Sequence, residues 1–289
     1  MALIIVFWGL GPPVSKLISA PSVIAVLYRF WLSVPVFYLM ALGAGHRLTM
    51  ATIKRTVFAG AAFGINLVFV FLTINEAAVA VLSVIAALQP GMILLVAGRF
   101  LGERPTPWHL LWTVVGVGGT VVVVLGGGRG FEVSTPAIVY SVVSQLFFTF
   151  YFVETKRVRS RNPIDSIEWM AGVTLFAALT VTPWALITSD RADYLAVNGL
   201  DWVWLAFIII FTGGLGHVLM AWVLKYIDAS RSSLYLLSMN IVAIGVAWLI
   251  HDEPLSVVQL AGGAIVFAAV GAVVSRPAEP AMPATAPPT

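Results

Sequence analysis

Charge, proline and glycine divide this chain into about ten apolar runs, each near the 20 residues that one bilayer crossing needs. Read from the N-terminus, they span Ala2–Ile18, Ser22–Ala44, Thr56–Ile74, Ala77–Gly98, Trp108–Leu125, Pro136–Val153, Ile167–Ile187, Trp202–Leu224, Ser232–Ile250 and Val257–Val274. A soluble fold is excluded, because 60% of the 289 residues are hydrophobic and only 10% are charged, where a soluble domain carries about a quarter. Too little polar surface exists to face water, so lipid must cover the fold. The first run starts at Ala2 with no basic lead, which reads as a first helix rather than a cleavable signal and leaves a start further upstream open. The Pro- and Ala-rich stretch 276–289 reads as a disordered tail.

Lys and Arg fall mostly in the connections, and they fall unevenly. Arg47, Lys54, Arg55, Arg99, Arg104, Lys156, Arg157, Arg159, Arg161, Lys225, Arg231 and Arg276 lie on one side, against Lys16, Arg129 and Arg191 on the other. By the positive-inside rule both termini are cytoplasmic, in an inner (plasma) membrane. The net charge of +3 reports orientation and not nucleic-acid binding. With no cysteine, a disulfide scaffold, a thiolate nucleophile and a cysteine-ligated metal are excluded.

A shift of 150 residues lays Ala77–Val124 on Ile227–Val274 without gaps, placing Glu103 on Glu253, Ser83 on Ser233 and Leu110 on Leu260. Five helices per half make the halves inverted in the membrane, a natural basis for alternating access. The fold expected is all-α, ten transmembrane helices in two inverted five-helix repeats, 1–126 and 136–275.

Phe7-Trp8-Gly9, Ser15-Lys16, Pro21 and Tyr28-Arg29-Phe30 resemble the opening of EamA-type members of the drug/metabolite transporter superfamily. Leu101-Gly102-Glu103-Arg104 before Thr106, and Asp252-Glu253-Pro254-Leu255-Ser256, resemble that family's two copies of one inter-helix motif. The resemblance implies a central cavity and export or exchange of a small metabolite, amino acids being a frequent class. Asn240 stands where the repeat would match Pro90, a departure that removes the proline which would kink the ninth helix there.

Polar groups at membrane depth are costly, so each needs a reason. Arg29 lies about 10 Å below the outer end of its helix, where a guanidinium could clamp a carboxylate or phosphate, or could serve helix-end carbonyls. Gln89-Pro90-Gly91 reads as a mid-helix kink, since Pro90 removes the bond to the Ala86 carbonyl. Asn66 and Asn240 offer donor and acceptor to a zwitterion, or act as interhelical glue. His217 titrates near neutrality in its free form and follows Gly213-Gly214-Leu215-Gly216, which permits close helix approach or a flexible step. Among aromatics that could line a cavity are Trp8, Tyr140, Phe147, Phe148, Tyr151, Trp222 and Tyr235. Gly60 and Gly64 form a small-xxx-small packing pair, and Glu103 and Glu253 read as loop caps or gate latches.

The candidate substrate site is therefore Arg29, Asn66, Gln89, Pro90, Tyr140, His217, Tyr235 and Asn240. No catalytic set, metal cluster, cofactor motif or nucleotide loop is visible. The expected activity is secondary transport, with a small-molecule substrate and the lipid bilayer as partners and a homodimer left open. The alternatives are an intramembrane enzyme and a non-transporting membrane subunit.

Overall fold

A computed structural model describes residues 1–76, 82, 85–102, 106–126, 134–251 and 256–275, and among these every regular element is helical. The helices are α1 (Ala2–Ser15), α2 (Ser22–Gly43), α3 (Met50–Glu76), α4 (Gln89–Leu101), α5 (Pro107–Leu125), α6 (Thr135–Arg161), α7 (Ser166–Thr188), α8 (Gly199–Tyr226), α9 (Ala229–His251) and α10 (Val257–Val274). A five-residue turn of helix, Arg191–Leu195, precedes α8. Glu103, Glu253 and the tail 276–289 lie outside the described residues.

Among the described residues, α2, α3, α6, α7, α8 and α9 are long and apolar enough to cross a membrane, while α1, α5 and α10 are shorter apolar helices. The outer surface suits lipid: Leu95 is 85% exposed and Ile187 84%. Helix starts follow local chemistry. Ser134, Asp165, Asn198 and Ser256 accept bonds from the first-turn backbone of α6, α7, α8 and α10, satisfying amides that a helix N-terminus leaves open.

Three features differ from the sequence reading. Helix α6 runs two turns past Val153, through Glu154 to Arg161. Those turns are charged and leave the apolar zone without leaving the helix, held by an Arg157–Glu154 pair at 2.8 Å. The break near Pro90 falls earlier, at Ala87–Leu88, where Leu88 N bonds to Ile85 O at 3.0 Å. Pro90 is thus the second residue of a new helix, where its missing N–H costs nothing. The third is a run of π-helical turns, Ile208–Gly216, inside α8. Helix α9 passes through Asn240 unbroken.

Helix α3 packs on α6 and α7, α2 on α7, α1 on α8 and α9, α4 on α6 and α9, and α5 on α10. Glycine permits the closest approaches. A Cβ at Gly60 would lie 2.6 Å from Phe176 Cβ and from Val173 O of α7, so the Gly60–Gly64 stripe is a helix interface.

Buried carboxylates tie the two ends of the bundle. At the end carrying the α1–α2 turn, Asp201 accepts from Ser19 N at 2.8 Å and from Ser19 Oγ at 3.0 Å. At the opposite end, Thr52 Oγ1 donates to Glu168. Asp201 is 1% exposed, so Asp201→Ala leaves the Ser19 amide without its acceptor. We expect it to cost about 2 kcal/mol, read as a lowered unfolding temperature in detergent, with Asp201→Asn recovering part of the loss.

Candidate functional site

A cavity of about 120 Å³ lies at the centre of the bundle. Helix α1 contributes Trp8, Gly11, Pro12 and Ser15, α2 contributes Arg29, and α3 contributes Phe63, Asn66, Leu67 and Val70. From the second half come Ser144, Gln145 and Phe148 of α6, Thr212 and His217 of α8, and Met239, Asn240 and Ala243 of α9. Leu82 and Ala86 complete the wall. Each of these helices presents one side to the cavity while packing neighbours with the rest.

Of the candidates named from sequence, Arg29, Asn66, His217 and Asn240 meet on this wall. Gln89, Pro90, Tyr140 and Tyr235 do not line it. Gln89 is buried with an Nε2 that finds no partner among the described residues, and Tyr140 packs its ring 5.8 Å from Phe69. Trp222, offered as a cavity aromatic, is 54% exposed.

The guanidinium of Arg29 is the site's defining group. Arg29 is 5% exposed, faces the cavity, and has no carboxylate or hydrogen-bond acceptor among the described residues. The π-helical turn of α8 passes beside it: a Cβ on Gly213 would sit 3.8 Å from Arg29 Nη2. Asn66 Nδ2 donates to Ser144 O at 3.0 Å and Ser144 Oγ at 2.9 Å. This joins the two halves across the site and leaves Asn66 Oδ1 as an acceptor. Gln145 Nε2 and Trp8 Nε1 are donors without partners among the described residues.

An aromatic cluster closes the cavity on the side nearer the α6–α7 turn. His217 packs 4.6 Å from the Trp8 ring and 4.5 Å from the Phe63 ring, and Phe63 stacks on Tyr151 at 4.7 Å. Tyr151 Oη and His217 Nδ1 share a hydrogen bond at 3.2 Å. Gly216 is what admits Trp8, since a Cβ there would lie 2.7 Å from the indole Nε1. The arrangement offers one buried positive charge, several amide and hydroxyl groups and an apolar, aromatic enclosure. Among the described residues no carboxylate lines it, and no His, Asp or Glu cluster could hold a metal. A charge, amides and hydroxyls set around an apolar space are groups that can bind a small molecule.

Sequence reasoning missed Phe63, Gln145, Ser144 and Thr212. An adjacent Ser144-Gln145 pair inside an apolar run was a readable signal, whereas Phe63 carried none. Asp201 and Glu168 were also missed, because both open helices at the membrane edge and resemble ordinary loop polarity.

Comparison with known proteins agrees with the geometry. A protein of Archaeoglobus fulgidus named an uncharacterized transporter is 26% identical over 285 residues, covering 96% of this chain and 98% of that protein. The uncharacterized transporter YvbV of Bacillus subtilis is 23% identical over 271 residues, covering 91% of this chain and 86% of its own. A solved crystal structure superposes on 95% of this chain and 94% of its own with a TM-score of 0.76 at 20% identity, showing a shared fold. The pattern of the EamA-like transporter family matches residues 1–125 and again residues 135–275. The chain therefore belongs to the EamA-like transporter family, within the drug/metabolite transporter superfamily, and is a multi-pass membrane transporter.

Proposed function

We propose that this transporter is a secondary carrier, moving a small metabolite of the amino-acid or related carboxylic-acid kind by alternating access between two inverted five-helix halves. The observation that carries the reading is the central cavity, built from both halves and holding a buried guanidinium with no protein partner among the described residues. An unpaired charge at that depth is costly unless a ligand completes it.

Inversion is supported by how the helices pack. Advancing each helix by five positions exchanges α3·α6 with α8·α1, α3·α7 with α8·α2, and α4·α6 with α9·α1, and returns α2·α7, α4·α9 and α5·α10 to themselves. The end ties support it too. The residue 149 positions after Thr52 is Asp201, and 149 after Ser19 comes Glu168. Thr52–Glu168 and Ser19–Asp201 are thus one hydroxyl–carboxylate tie appearing at opposite ends, with the donor and acceptor roles exchanged. The family pattern's two matches, and the distribution of Lys and Arg, favour an inner-membrane carrier with both termini cytoplasmic.

Flux of labelled amino and organic acids into liposomes reconstituted with the purified protein tests the reading. Saturable uptake, suppressed by excess unlabelled solute, is expected. Flux no greater than in empty liposomes, for every solute that binds the protein, would contradict it.

A further inference from the structure

We infer that the central cavity takes a small monocarboxylate as a net anion, an organic acid lacking an ammonium group, with Arg29 as its charge partner. This rests on the transport reading and narrows its substrate class. The first ground is the charge count of the wall. Arg29 is the only permanently charged side chain among the described lining residues, and none of those residues is acidic. In sequence on either side of Leu82, residues 77–81 and 83–84 read Ala-Ala-Val-Ala-Val and Ser-Val and contain no ionisable side chain. A carboxylate answers the guanidinium directly. The ammonium of a zwitterion, by contrast, would enter the site a few ångströms from a positive charge, with no acidic side chain among the described lining residues to answer it.

One cation also selects one anion: a dicarboxylate or a doubly charged phosphate would leave a negative charge unmatched at membrane depth. Size sets the last bound. An apolar cavity of about 150 Å³ holds the six carbons of benzene, so about 120 Å³ suits acids of roughly five or six non-hydrogen atoms. The apolar part of the wall, with Leu67, Met239 and Ala243, would take the acid's hydrocarbon end.

The test is calorimetric binding to the purified full-length protein with matched pairs of equal size: pyruvate against alanine, propionate against glycine, and butyrate against 3-aminopropanoate, with oxalate as a dianion of similar size. At least one monocarboxylate is expected to bind about tenfold or more tightly than its nitrogen-bearing partner, the scale of one charge-assisted hydrogen bond, and more tightly than oxalate. Arg29→Gln should reduce that preference to about threefold or less, and Arg29→Lys should keep part of it. Equal or tighter binding of the nitrogen-bearing partner in every pair, failure of all three acids to bind, or an unchanged preference in Arg29→Gln overturns the assignment. Flux separates the two levels. Selective acid binding without any flux sinks transport and leaves the charge assignment standing, and flux of zwitterions independent of Arg29 does the reverse.

Discussion

Substrate binding and flux fall by about two orders of magnitude in Arg29→Ala while the empty protein unfolds at an unchanged or higher temperature. Both halves of that expectation follow from one fact. Arg29 is buried at 5% exposure, yet it has no acceptor among the described residues. Removing one partner of a buried, hydrogen-bonded charge pair costs about 3 kcal/mol or more, which is a factor of roughly 150 in affinity. Among the described residues of the empty protein no such pair exists, so the substitution removes an uncompensated charge from a low-dielectric interior and relieves the folded state. A guanidinium that braced helix ends would behave oppositely. Its loss would lower the unfolding temperature and spare the affinity of any molecule that reached the cavity. Calorimetric binding and thermal unfolding of the same two preparations separate these cases.

The second large effect is structural. Gly60→Ala is expected to cost about 3 kcal/mol and to weaken substrate binding as well. The added methyl would stand 2.6 Å from Phe176 Cβ and 2.6 Å from Val173 O, both fixed by the backbone of α7. Carbon atoms pack comfortably at about 3.5–4.0 Å, so the two helices must separate. Helix α3 also carries Phe63 and Asn66 to the cavity wall, and a shift of α3 strains the Asn66–Ser144 bonds. Gly118→Ala is the control: its Cβ would meet nothing within 4 Å, so stability should hold. Tryptophan fluorescence during thermal unfolding in detergent checks both. Equal unfolding temperatures for the two variants would show that the α3–α7 interface has slack which the geometry does not reveal.

Much of the fold was legible because the membrane makes sequence patterns blunt. Apolar runs ended by charge fixed where most helices lie, and the few polar residues within them marked the cavity. Arg29, Asn66, His217 and Asn240 come from four helices and meet at one wall, since a polar group at that depth must face either water, a partner or a ligand. What stayed hidden has physical reasons. The last two turns of α6 are charged, and hydropathy cannot distinguish a helix in water from a loop. The Glu154–Arg157 spacing was the available sign. The break at Ala87–Leu88 precedes Pro90, because a proline more readily starts a helix than interrupts one. The π-helical turns of α8 arise where glycines let Arg29 and Trp8 approach, a tertiary demand that local sequence only hints at. Phe63 and Leu67 look like any other core residues until the helices assemble.

Alternating exposure of the cavity can be tested directly, because the chain contains no cysteine and one introduced thiol is therefore unique. Gly11 lies on the cavity wall, and a Cβ there would meet only Thr212 Cγ2, at 3.4 Å, so Gly11→Cys fits. Right-side-out and inside-out membrane vesicles are treated with an anionic, membrane-impermeant thiosulfonate. Under alternating access the thiol reacts from both sides, and saturating substrate protects it from both. Reaction from one side only, whatever the substrate concentration, would contradict it.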